Sequence, residues 1–358
     1  MSEFIFNATG SNDGPALQAA LSAMTPADRL TVNGLAQVLP WSGMPTYVGP
    51  ANAAMQTMLL LSNGILRCAP GASISSPAVP AACDLLCWQP PQNVLVQSPL
   101  IERLSVSVNG GRDAFVICTA NNSQIQNPKI DHGALVTAGG SGYAFHILND
   151  PQLNPNGGFF DAEIDGTIWA GGGRFESVGD GIEFHEVNAT GPKCSIDISF
   201  VPGAASCRVI NNSLTGHGGG LLMRNGQNVV VTGNSFEPSG NYDYASSGGR
   251  GYVCDIQNIL GGAHIGDNVF SLTQPILNLS AYIYMLALSG AGGGEIEQNT
   301  FFANPGVLHP QGAAILLFGA NAQVMVHQQI VHSTISALIY DPSNVANFIV
   351  PLAKWQRL

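Results

Sequence analysis

From about residue 110 the chain repeats, and the period decides what it can fold into. Short apolar segments at 115–118 (FVIC), 144–147 (AFHI), 181–184 (GIEF), 220–223 (GLLM), 252–255 (YVCD), 284–287 (YMLA), 314–317 (AILL) and 337–340 (ALIY) each precede a polar link and a second apolar segment. The second segments end at Leu135, Ile168, Phe200, Phe236, Phe270, Phe301 and Ile330, which lie 29 to 36 residues apart. Such a period marks stacked units that bury their apolar sides only against one another. Helical repeats would need uninterrupted stretches of about 10–12 residues with a 3.6-residue period. Gly-Gly-Gly at 171–173 and 218–220 and the glycine-rich 290–294 leave no room for them, and only 10% of residues are charged, too few for exposed helix faces. Short strands returning at like phase predict a solenoid of parallel β-strands. A propeller, with blades of about 40–50 residues, fits the variable links less well.

A second periodicity runs with the first. An amide side chain stands two residues before the terminal apolar residue in Asn234-Ser-Phe236, Asn268-Val-Phe270, Asn299-Thr-Phe301 and Gln328-Gln-Ile330, and Asn212-Ser-Leu214 repeats it once out of step. Amides at one fixed place per coil predict a ladder, each hydrogen-bonding the next and satisfying polar groups that a tight corner buries. Near the start, 12–24 reads as an amphipathic helix with Asn12 or Asp13 at its N-cap, Pro15 in its first turn and Leu17, Leu21 and Met24 on one face. Such a helix would cap one end of the solenoid. The expected organisation is one domain over 1–358, with coils from about 60 to 340 and residues 344–358 closing the other end.

Composition narrows the partners. Twelve Lys and Arg stand against 23 Asp and Glu, a net charge of −11 with a pI near 5.0. A surface of that sign repels phosphate backbones and anionic lipid heads, so neither nucleic acid nor membrane is an expected partner. The N-terminus shows no basic segment followed by an apolar stretch, and no apolar run approaches the ~20 residues that span a bilayer. The protein is expected to be made without classical export, in the cytoplasm. Seven Cys, several inside apolar strand patterns, read as buried reduced thiols.

The segments NDGPALQAAL at 12–21, GILRCAPGASI at 64–74, GDGIEF at 179–184 and the amide ladder together resemble the right-handed parallel β-helix proteins of the pectate-lyase-like superfamily, which includes phage tailspike depolymerases and proteins of exopolysaccharide gene clusters. The resemblance implies an all-β, single-stranded right-handed β-helix with a short N-terminal capping helix. It also implies polysaccharide or oligosaccharide substrates, homotrimeric assembly, sites on the outer face or between subunits, and, as the alternative to the cytoplasm, a place on a phage particle.

The chemistry concentrates in one stretch. Ten of the 23 acidic residues fall between Asp131 and Asp197, with only Arg174 and Lys193 among them as bases. Strand alternation puts Asp161, Glu163 and Asp165 on one face and Ala162 and Ile164 on the other, so the carboxylates project outward. Counting three back from each terminal apolar residue gives a column of His132, Asp165, Asp197, Gly233, Asp267, Gln298 and His327, in which Asp165 and Asp197 are neighbours at about 4.8 Å. With Asp180 and Glu183 nearby, these four are the candidate acid, base or nucleophile for glycosidic-bond cleavage or transfer. Glu163, Trp169, Arg174, His185, Arg224 and Tyr242 are candidate substrate contacts. Asp180 also suits a plain turn, Trp169 also suits the core, and the whole acidic patch could be a solvated face. No HExxH, paired CxxC or EF-hand loop occurs, so no cofactor or dedicated metal site is expected, with calcium between carboxylates left open. Two other functions fit the same residues: a non-catalytic glycan-binding or structural β-helix, and a polysaccharide lyase or uronate epimerase, the latter disfavoured by the scarcity of bases.

Overall fold

The computed structural model describes residues 2–138, 142–203, 206–216, 219–237, 252–273, 284–304, 313–319, 324–332, 335, 339–340 and 356–357. They divide into two compact units, one ending at Gly179 and one beginning at Asp180. In both, the strands stack in parallel, in register, coil upon coil, and each unit is a parallel β-helix.

In the first unit one series comprises Ala54–Leu61, Cys83–Trp88, Phe115–Cys118, Phe145–Leu148 and Gly173–Val178. A second holds Leu100–Glu102, Lys129–Asp131 and Glu163–Asp165. A third holds Leu35–Gln37, Ser73–Val79, Ser105–Gly110, Ala134–Ala138 and Ile168–Ala170. Inward residues form an aromatic core in which Phe115 stacks on Phe145 at 5.5 Å and Phe145 meets Trp169 and Phe175 edge-on. The N-terminal helix runs Gly14–Ser22, with Pro15 in its first turn and Leu17 and Leu21 buried. The Gln18 side chain both donates to and accepts from the Leu60 backbone, which fixes the helix to the first series.

In the second unit the first series is Ile196–Phe200, Leu221–Arg224, Tyr252–Gln257, Tyr284–Ser289, Ala313–Phe318 and Ile339–Tyr340. The second is Ile182–His185, Ser206–Ile210, Asn228–Thr232, Gly262–Gly266, Gly293–Glu297 and Val324–Val326. The third begins with Asn188–Thr190 and Ser213–Leu214 and continues through Ser235–Phe236, Val269–Leu272, Thr300–Ala303 and Ile330–Val331 to Gln356–Arg357. Phe236, Phe270 and Phe301 stack within the core at 4.8 and 4.9 Å.

The amide ladder is present and buried. Asn212 Nδ2 donates to Asn234 Oδ1, Asn234 to Asn268 and Asn268 to Asn299, each at 2.9 Å, and Asn299 donates to Gln329 Oε1 at 3.1 Å. Each of these acceptor oxygens also takes the backbone N–H of the donor residue one coil earlier. Two expectations are corrected here. Asn212 is in step with Asn234, and the last rung is the buried Gln329, because Phe301 pairs with Val331 and not with Ile330.

The sequence frame loses step between 168 and 214. Leu135 pairs with Trp169, so Trp169 points into the core and Ile168, one residue earlier, is 51% exposed. Phe200 ends a strand of the first series, not of the third, and GIEF belongs to the second series, not the first. The column counted three back from the terminal residues therefore does not exist as a row of acids. Asp165 is in register with Asp131, while Asp197 is in register with Leu222. His132, Gly233, Asp267 and Gln298 are the turn residues between second and third series, all at positive φ.

Candidate functional site

Asp165 lies in the first unit, and within the second Asp197 stands on the first series whereas Glu183 stands on the second. Asp165 and Glu163 lie on the second series of the first unit, where the Lys129 ammonium meets Glu163 at 2.9 Å and has its pKa raised by that bond. Asp131, in register with Asp165, pairs with the His132 imidazole. Asp180 is a turn residue, accepting hydrogen bonds from the Ser206 N–H at 2.7 Å and the Ser206 hydroxyl at 3.0 Å. Glu183 lies between His185 at 3.0 Å and Arg208 at 3.4 Å on the second series of its unit. Arg174 is paired with Glu176 at 2.5 Å and lies over the Tyr143 ring. Trp169 is fully buried, so it is no sugar platform. Tyr242 lies outside the described residues, as does most of 344–358.

One of the four acids stands in a different and better-formed setting. Ile196, Ile198 and Phe200 fill the core of the second unit, and alternation turns Asp197 and Ser199 outward. Register then builds two outward columns along the first series. One runs Asp197, Leu222, Asp255, Ala287 and Leu316; the other runs Ser199, Arg224, Gln257, Ser289 and Phe318. Asp197 and Asp255 are 8% and 3% exposed, and they flank Leu222 on alternate strands, a backbone separation of about 10 Å. Arg224 forms an ion pair with Asp197, and the Gln257 amide donates to Asp255 at 2.7 Å.

The far end of this face is aromatic. Tyr252 lies 5.9 Å from Tyr284 and 6.2 Å from Phe318, and these rings pack with Ala287, Ala313 and Leu316. The acids act on what surrounds them. Burial, and then the neighbouring Asp197 carboxylate, drive the Cys194 thiol far above its ordinary pKa, and burial followed by Asp255 does the same to Cys254. Two carboxyls, a guanidinium, an amide and an aromatic shelf on one rigid strand face can bind a polyhydroxylated ring and exchange protons with it. Sequence reasoning found Asp197 and Arg224 here but missed Asp255, Gln257 and Tyr284. The signal was available in Tyr252-Val-Cys-Asp-Ile-Gln257, where an acid interrupts an apolar strand at an outward position.

The first unit carries a second polar cluster that the sequence did not reveal. Asp84 is fully buried within the apolar strand Cys83–Trp88, ion-paired with Arg112 and hydrogen-bonded by the Tyr47 hydroxyl at 2.6 Å. Burial pushes the Asp84 carboxyl up despite the opposing Arg112. Farther along the same face, His146 Nδ1 lies 2.8 Å from Asp113, and Nε2 lies 3.7 Å from Glu176. Burial alone would lower the imidazole, but the two carboxylates overcome it and raise its pKa to about 9. Tyr47 packs over Cys87, Val116, Cys118 and Leu148, so the chain itself covers most of this face. Apolar hollows elsewhere in the unit, such as one of about 290 Å³ lined by Phe4, Met24 and Leu30, contain no ionisable side chain.

No family model and no curated protein matches the chain. Solved structures do. The Dettilon tailspike protein is 10% identical over 95% of this chain and 68% of its own, with a TM-score of 0.42. A mutant of the tailspike protein of E. coli bacteriophage HK620, in complex with a pentasaccharide, is 12% identical over 98% of this chain and 64% of its own, with a TM-score of 0.38. Pectate lyase Pel9A is 11% identical over 97% and 81%, with a TM-score of 0.36. These are likenesses of fold. Among the described residues no helix is long and apolar enough to cross a membrane.

Proposed function

We propose that this protein is a carbohydrate-active enzyme that cleaves glycosidic bonds of a polysaccharide or oligosaccharide on the outward Asp197–Asp255 face. The observation that carries the reading is the pair of nearly buried carboxyl groups on alternate strands, flanking Leu222 and bordered by Arg224, Gln257 and the Tyr252–Tyr284 shelf.

The spacing suggests the chemistry. Carboxyls one strand apart would suit a covalent glycosyl intermediate, which needs about 5–5.5 Å, whereas alternate strands leave the wider gap, about 6.5–9.5 Å, that admits a water. Asp255, which accepts a hydrogen bond from the Gln257 amide, protonates the leaving glycosidic oxygen. Asp197, oriented by Arg224, takes a proton from the water that attacks the anomeric carbon from the opposite side. The bond to the leaving sugar breaks, the new hydroxyl forms with inverted configuration, and both carboxyls return to their starting states by proton exchange with solvent.

Asp197→Asn and Asp255→Asn, assayed separately for reducing ends on a panel of bacterial polysaccharides, should each lose at least a hundredfold in turnover while retaining the wild-type melting temperature. Wild-type turnover in both variants would overturn the assignment. Saturable binding without new reducing ends would favour a glycan-binding role, which the ion pair holding Asp197 also suits. An unsaturated uronate among the products would point to a lyase.

A further inference from the structure

A second set of side chains converges on another face of the second unit. His264 is in register with Glu295 on the neighbouring strand, and Glu297 projects from the same side of that strand two residues on. His264 Nδ1 lies 3.9 Å from Glu295 Oε2, and Nε2 lies 3.8 Å from Glu297 Oε1. His327, on the following coil, brings Nε2 to 3.8 Å from Glu295 Oε1. One donor atom each from His264, Glu295 and Glu297 fit within 4.8 Å of one another.

These separations are too long for hydrogen bonds, which close at about 2.7–3.2 Å. An imidazole offers an ion only one of its two nitrogens, so the set supplies one nitrogen of His264 and one oxygen each of Glu295 and Glu297, all within 4.8 Å of one another. With bonds of about 2.0–2.2 Å to nitrogen or carboxylate oxygen, ligand atoms on tetrahedral zinc lie roughly 3.3 Å apart, which these side chains reach by small rotations. The backbone supplies the preorganisation, because both strands are locked in a ladder and the side chains need only rotate. The imidazole in the set is a nitrogen ligand and selects against calcium and magnesium, which take oxygen ligands, and towards zinc and its neighbours. Sequence motifs could not show this, since the imidazole and the carboxylates come from successive coils and have no local spacing.

We propose that His264, Glu295 and Glu297, with His327 beside Glu295, form a binding site for a divalent transition-metal ion of the zinc class. The site shares no residue with the Asp197–Asp255 face and stands or falls independently of it. Titration of the metal-free, full-length protein with zinc chloride by calorimetry, with the tag removed, tests it. The expected result is one zinc per chain that is lost, or weakened at least tenfold, in both His264→Ala and Glu295→Gln, and that survives His132→Ala and an excess of calcium. Both substituted side chains are half-exposed, and the isosteric Glu295→Gln keeps the test valid should the histidine variant not fold. No saturable zinc binding by the wild type, binding unchanged in Glu295→Gln, or displacement by calcium would each overturn the proposal.

Discussion

His146 shows how much of this molecule's behaviour depends on single residues placed by the coil register. Its imidazole, held between Asp113 and Glu176, has an ordinary pKa of 6.5 raised to about 9. A group whose folded pKa is raised stabilises the native state fully below its unfolded value and loses that contribution as pH rises through the folded one. Glu176 works in the opposite sense. Burial opposes its ionisation, but the His146 imidazolium more than offsets this and leaves its pKa below 4.5, so its contribution is present above 4.5 and disappears in acid. The melting-temperature gap between wild type and His146→Gln should therefore be greatest near pH 6 and shrink by pH 10. A gap that does not change with pH would show that the imidazolium is not its source. Trp169 makes a different prediction. Fully buried against Phe145 and Phe175, it should cost about 3–5 kcal/mol when replaced by Ala, measured by denaturant unfolding, with no change in glycan affinity for protein that remains folded.

Among the elements, the amide ladder is the device most open to test. Asn268 accepts from both N–H groups of Asn234 and donates to Val231 O and Asn299 Oδ1, all in a buried corner. Replacing it by Ala strands several buried partners at about 1–3 kcal/mol each, so a loss of roughly 3 kcal/mol or more is expected in denaturant unfolding. The end of the ladder gives the sharper contrast. Gln329→Ala should destabilise, and its exposed neighbour Gln328→Ala should be nearly neutral; equal effects would mean that the rung has been misplaced. The solenoid, its period, the ladder and the N-terminal helix were legible because the later coils keep a nearly constant length and the rungs at Asn234, Asn268 and Asn299 are unmistakable. The site was less so. Coil length shortens where Asn212 bonds Asn234, only 22 residues on, and a fixed count of three from Ile168 and Phe200 then lands on the wrong face. Strand side chains alternate with a period of two, so an error of one residue exchanges inside for outside, as it did for Ile168 and Trp169. Local sequence carries no mark of such a slip; only the hydrogen-bonded register resolves it.

If the proposed function holds, net charge across the whole molecule selects among glycans more than any single contact does. The chain carries −11 with 12 basic residues in all, and among the described residues Arg29, Arg67, Arg112, Lys129, Arg174, Arg208 and Arg224 are already engaged in ion pairs. A polyuronate or other polyanionic chain approaching such a surface meets long-range repulsion and few cations to receive its carboxylates, whereas a neutral polysaccharide meets neither obstacle. Repulsion between separated charges is screened over a Debye length that falls from about 30 Å at 0.01 M salt to about 8 Å at 0.15 M. If the Asp197–Asp255 face cleaves glycans, kcat/KM on neutral polymers should be nearly independent of ionic strength across that range, and any activity on acidic polymers should be lower and rise with salt. Because screening acts on encounter, the rise should come from a fall in KM with kcat unchanged. Faster turnover of acidic polymers at low salt would show instead that a local cationic patch overrides the net charge, and Arg224 would then be the first residue to test, by Arg224→Gln, for direct contact with a substrate carboxylate.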